Sequence, residues 1–94
     1  MRIIGRIPHP RLQITVFSND GRFPLQFELN GQTQIYRFRQ GDNLKGLGDF
    51  HKLVDEDFLT DVLNRFQEMR RTQERVVKAL RPQPGPTDDL PEII

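Results

Sequence analysis

Apolar and polar positions alternate along Arg11–Phe17 (RLQITVF), with Leu12, Ile14 and Val16 on one side and Gln13 and Thr15 on the other. A period of two marks a half-buried strand. The alternation returns in Phe23–Leu29 (FPLQFEL), where Phe23, Leu25, Phe27 and Leu29 share a face, and again in Thr33–Arg39 (TQIYRFR). Asp20-Gly21 and Asn30-Gly31 separate the three runs. Both dipeptides favour two-residue type I′ turns, which need φ > 0 at each central position. Read that way, the second turn sets Phe27 opposite Gln34, Leu25 opposite Tyr36 and Phe23 opposite Phe38. The first sets Val16 opposite Leu25, Ile14 opposite Phe27 and Leu12 opposite Leu29. Directly opposed residues lie on one face. Two independent turns therefore gather the large apolar side chains on the same side of a three-stranded meander.

Pro24 interrupts the middle strand, because proline has no N–H for a ladder. With the first turn as drawn, its nitrogen faces the first strand. That hairpin is expected to open early, with regular pairing starting near Leu25, and the type of the first turn stays open. The other face carries Arg11, Gln13, Thr15, Phe17, Gln26, Glu28, Thr33, Ile35, Arg37 and Arg39. Such a mixture suits a solvated antiparallel face. Residues 1–10 (MRIIGRIPHP) read as an extended lead-in stiffened by Pro8 and Pro10. Ile3, Ile4 and Ile7 are apolar enough to pack against something. His9, between the two prolines, is read as solvated or locally bonded, not as a ligand.

The period changes after a glycine-rich loop, Gln40–Gly48 (QGDNLKGLG). Leu47, Phe50, Leu53 and Val54 recur at helical spacing and predict a short helix. Asp55 stands as N-cap of a second, long helix over Asp55–Arg81, with Val54 and Leu59 at the hydrophobic staple positions. Acids crowd its start (Glu56, Asp57, Asp61) and bases its end (Arg70, Arg71, Arg75, Lys78, Arg81), as the helix dipole favours. Phe58, Leu59, Val62, Leu63, Phe66 and Met69 form a wide apolar face suited to covering the sheet. Beyond Met69 it narrows to Gln73, Val76, Val77 and Leu80. The fold expected is α+β: the three-stranded antiparallel meander packed on one face by the long C-terminal helix, with a short helical turn before it. Residues 1–81 make one domain. Residues 82–94 (PQPGPTDDLPEII), with prolines, acids and few apolar residues, read as a disordered tail.

Length and composition narrow the function. A chain of 94 residues is small for an independent core. It has no cysteine, so disulfides and thiolate metal sites are excluded. Its two histidines, His9 and His51, lie too far apart to form a local ligand pair. A second chain is the remaining source of stability. The N-terminus has no apolar run of signal-peptide length and no stretch is long enough to span a membrane, so a cytoplasmic location without membrane attachment is expected. Net charge is only +1, but it is segregated. Residues 1–48 carry seven bases and three acids, residues 49–61 one and five, residues 62–81 six and two, and the tail three acids alone.

Catalytic signals are absent at this level. No nucleophile sits in a recognisable local motif. The acids at 55–57 are explained by capping, and Asp20 and Asp42 lack calcium-loop spacing. The loop glycines match neither phosphate-binding spacing, G-x-G-x-x-G or G-x-x-x-x-G-K-[ST]. No catalytic, cofactor or metal residue is assigned. The C-terminal Ile93-Ile94 could meet a carboxylate-binding module, but any apolar C-terminus fits that description.

The stretches GRIPHPRLQITVF, YRFRQG and KLVDEDFLTDVLNRFQEM resemble a family of short, uncharacterised bacterial proteins. The resemblance covers about residues 3–75. It implies a β-meander plus a long C-terminal helix and lends no activity.

Two functions remain. The first is a non-enzymatic interaction module that forms a homodimer through the second half of its helix, at Met69, Gln73, Val76, Val77 and Leu80. Steps of three and four connect Leu59, Val62, Phe66, Met69, Gln73, Val76 and Leu80, which is heptad spacing. A helix of this length spans about 40 Å and seven-residue strands about 23 Å. It should overrun the sheet by roughly three turns, unless Ile3, Ile4 and Ile7 fold back over it. An unidentified protein partner would use the same surface. The alternative is nucleic-acid binding by the outer sheet face, with Arg11, Arg37 and Arg39 meeting phosphates and Phe17 stacking on a base, Arg22 and Lys45 nearby.

Overall fold

A computed structural model of the chain describes residues 1–80. Arg81 and the tail 82–94 lie outside the described residues, as does the expectation that the tail is disordered. The elements are β1 (Arg2–Ile7), β2 (Gln13–Ser18), β3 (Arg22–Leu29), β4 (Gln32–Arg39), α1 (Leu47–Leu53) and α2 (Glu56–Leu80). The sheet is an antiparallel meander in the order β1-β2-β3-β4, with α2 packed against it, so the α+β class stands while the strand count rises from three to four.

Both turns take the backbone their sequences demand. Asp20 and Gly21 have φ of 54° and 79°, Asn30 and Gly31 of 50° and 82°. The ladder between β3 and β4 runs unbroken from Leu29↔Gln32 to Arg22↔Arg39. Between β2 and β3 it runs from Gln13↔Glu28 to Val16↔Leu25 and stops where Pro24 offers no donor. The first turn nevertheless stays closed, because Asn19 and Arg22 exchange two backbone hydrogen bonds of 2.9 and 3.1 Å beyond the gap.

The fourth strand corrects the expectation of an extended lead-in. Pro8 and Pro10 frame a reversal rather than a rod. The His9 imidazole closes it: Nδ1 accepts the N–H groups of Arg11 and Leu12, each at 3.0 Å. The chain then returns alongside itself, pairing Ile7 with Ile14 and Gly5 with Val16. A bulge between Ile3 and Gly5 inserts Ile4 as an extra residue, so Ile3 comes opposite Phe17. Ile4 and Ile7 pack on the core, and Ile3 stays half exposed on the outer face.

The core is the predicted sheet face closed by both helices: Leu12, Ile14, Val16, Phe23, Leu25 and Phe27 below, Phe50, Val54, Val62 and Phe66 above. Edge-to-face aromatic contacts run through it, with Phe23 and Phe38 meeting Phe50 at 5.4 and 5.9 Å between centroids. Phe27 and Tyr36 meet Phe58 at 5.3 and 5.2 Å. Leu47 of α1 sits directly on Gly5, where any Cβ would lie 2.3 Å from the Leu47 Cδ2. Asp55 caps α2, its carboxylate accepting the Phe58 N–H at 2.9 Å.

Two glutamines lie among the apolar residues of β4. The Gln34 amide donates to the Val62 carbonyl at 2.9 Å and accepts the Tyr36 hydroxyl. The buried Gln32 side-chain amide donates to the side-chain oxygen Oε1 of Gln73 at 2.7 Å. These bonds hold α2 to β4 along its length, and the second is the farthest along the helix.

Candidate functional site

Gln73 divides α2. Before it, Phe58, Leu59, Val62, Leu63, Phe66 and Met69 face the sheet. After it, every residue from Glu74 to Leu80 is exposed. This overhang is about two turns, or about 10 Å at 1.5 Å per residue. Counted from Met69, the last described residue that is not exposed, the exposed stretch Arg70–Leu80 is about the three turns expected, and the Gln32–Gln73 bond ties its first turn to the sheet. Val76, Val77 and Leu80 remain 45%, 60% and 70% exposed. Ile3, Ile4 and Ile7 do not cover them; they belong to β1, at the opposite edge of the sheet from β4.

Of the five residues assigned by sequence to a helix partner, Met69 packs on the chain's own core and Gln73 bonds to Gln32. Among the described residues, Val76, Val77 and Leu80 are not packed on the core. What the sequence did not show is the surface next to them. β4 is an edge strand, and between it and α2 lies an open groove of about 770 Å³. Gln34, Ile35 and Tyr36 form one wall; Arg65, Glu68, Met69, Thr72 and Gln73 form the other. Ile35 is 43% exposed there. Along α2 the groove wall occurs at steps of three and four, and continuing that spacing past Gln73 leads to Val76 and Leu80. A smaller hollow on the flank, of about 350 Å³ and lined by Gln73, Glu74, Val77 and Lys78, adjoins it through Gln73.

The outer sheet face divides the four residues of the alternative site. Arg37 and Arg39 lie on it at the Asp20-Gly21 end, Arg39 directly opposite Arg22 and Arg37 opposite Pro24. Phe17 is half-buried on the same face, opposite Ile3. Arg11 is elsewhere. It precedes the first residue of β2 and lines a crevice with Leu29, Leu63, Asn64, Phe66, Gln67 and Arg70, against α2. Lys45 is in the loop before α1, where its N–H donates to the Asp49 carboxylate at 2.8 Å. That bond is the first cause holding the Asp49 pKa below its usual 3.8; the charges of Lys52 and Lys45 add to it and desolvation opposes it.

Among the described residues no group of three or more His, Cys, Asp or Glu comes together in a way that could hold a metal ion. No helix among them is long and apolar enough to cross a membrane. Comparison with known proteins found no matching family model, no matching curated protein and no matching solved structure.

Proposed function

We propose that this chain is a small, non-enzymatic interaction module of the cytoplasm that pairs with a second copy of itself through the C-terminal half of α2. The observation that supports the proposal is the exposure of Val76, Val77 and Leu80 on a regular helix that continues past the sheet. Fully burying each aliphatic side chain is worth about 1.5–3 kcal/mol, and the monomer forgoes that gain at three positions among its described residues. Light scattering on the intact chain and on a truncation after Arg71 tests the proposal. Dimer mass is expected for the first and monomer mass for the second. Monomer mass for both at micromolar concentration would refute it.

A second proposal, nucleic-acid binding by the outer face, draws support from one observation. Arg22 and Arg39 face each other across β3 and β4, with Arg37 beside them and Phe17 and Ile3 on the same face. Like charges directly opposed are unfavourable, and a phosphate would relieve them. Glu28 lies at the other end of the face, opposite Thr33 and Gln13. Mobility shifts of mixed-sequence DNA at low salt test it, with Arg37→Ala and Arg39→Ala as controls; absence of any shift eliminates it.

A further inference from the structure

We infer that the self-association proposed above is antiparallel and two-fold symmetric, with Leu80 of each copy seated in the β4–α2 groove of the other. The inference rests on that proposal and adds a geometry to it. A stable interface engages about 20–30 residues a side and buries about 800 Å² per partner. A parallel pair touching only through the overhangs would engage little more than Val76, Val77 and Leu80 in each copy. It would also leave both grooves and both Ile35 side chains in water.

An antiparallel pair uses both surfaces at once. A two-fold axis level with the Glu74–Arg75 peptide sets Val76 of one copy against Gln73 of the other, and Leu80 against Met69. Met69 is a wall of the groove that Ile35 and Tyr36 complete. Leu80, the most exposed of the three overhang aliphatics, would thus enter the concavity nearest to the helix stripe. Symmetry repeats the contact, as an isologous interface requires. The whole overhang is then covered by one operation, and the β4 walls of both grooves join the interface.

The two geometries separate cleanly by cross-linking, because the natural sequence contains no cysteine. Leu80→Cys and Ile35→Cys are made singly in the full chain, both at exposed positions outside the core. In the antiparallel pair Leu80 stands level with residue 69 of the other copy. Its own counterpart is therefore eleven helical residues away, about 16 Å along the axis and beyond disulfide reach of about 7 Å between Cα atoms. Mixing the two variants and oxidising is expected to give a mixed disulfide dimer, with Leu80→Cys alone giving none. Self-linking of Leu80→Cys in a protein of dimer mass would overturn the antiparallel geometry and leave self-association intact. Dimer mass with no mixed cross-link would do the same for the groove seat. Monomer mass of the wild-type chain would remove the underlying proposal and this inference together.

Discussion

The contact between Gly5 and Leu47 predicts a cost for the smallest possible side-chain addition. A Cβ at Gly5 would lie 2.3, 2.9 and 3.1 Å from the Cδ2, Cδ1 and Cγ of Leu47. Carbon atoms pack at about 3.5–4.0 Å, so the isobutyl group must move as a whole by about 1 Å or more. The φ of Gly5 is outside the left-handed region, so alanine strains no backbone there. Overpacking typically costs about 1–3 kcal/mol. Restricting the unfolded chain returns about 0.4–1 kcal/mol. Gly5→Ala should therefore destabilise by about 1–2 kcal/mol, which lowers the melting temperature by roughly 4–8 °C per kcal/mol in a domain of this size. In a Leu47→Ala background the obstruction is gone, and Gly5→Ala should become neutral or stabilising. Urea unfolding of the four proteins at one fixed concentration gives the double-mutant cycle, with an expected coupling of about 1–3 kcal/mol. An equal cost for Gly5→Ala in both backgrounds would refute the packing of α1 on β1.

Three further predictions concern the starts of the two helices and the tie between α2 and β4. Asp55→Ala should remove the α2 cap and cost about 1 kcal/mol, with Asp55→Asn largely retaining it, as read by chemical denaturation. Gln34→Ala should cost about 1–3 kcal/mol, because it leaves the Tyr36 hydroxyl without its acceptor. The further change of Tyr36→Phe in that variant should then be less costly than in the wild type. Asp49 sets an acid limit on the loop before α1. Its pKa is depressed in the folded chain, so its stabilisation is complete above about pH 3.8 and is lost as pH falls through the lower folded value. The Lys45 amide resonance should follow that loss, and Asp49→Asn should abolish the transition.

Turn chemistry makes three of the four strands legible in the sequence. Asn30-Gly31 and Asp20-Gly21 set the registers, and alternation sets the faces, so ladder partners such as Leu25↔Tyr36 and Ile14↔Phe27 follow from residue order alone. β1 is not legible in the same way. Its apolar residues, Ile3, Ile4 and Ile7, do not alternate, because the bulge at Ile4 resets the register in mid-strand. The prolines that mark its end read equally well as an extended segment, and only the His9 side chain shows that they frame a reversal. Alternation assigns Arg11 to the outer face; in fact the residue precedes the strand and answers to α2. Gln73 looks like a polar flaw in an apolar stripe, and its partner Gln32 is 41 residues away, where no local pattern reaches. The groove is beyond sequence reading for the same reason: it depends on how α2 docks beside β4.

The bond between Gln32 and Gln73 also has a consequence for how the exposed end of α2 comes to exist. A helix begins only after several dihedral angles have been fixed for a single hydrogen bond, and then lengthens at little cost. The docked segment from Glu56 to Gln73 supplies that nucleus by packing on the sheet, and the overhang grows from it by propagation alone. An isolated peptide of residues 70–80 is shorter than the roughly 12–15 residues at which helices become marginal in water, and it should give a coil spectrum by circular dichroism. The tip is therefore helical because the sheet is folded. Unravelling the docked half would abolish the tip's shape without touching any residue in it, and a second chain reaching the tip would meet a surface whose backbone order had already been established elsewhere.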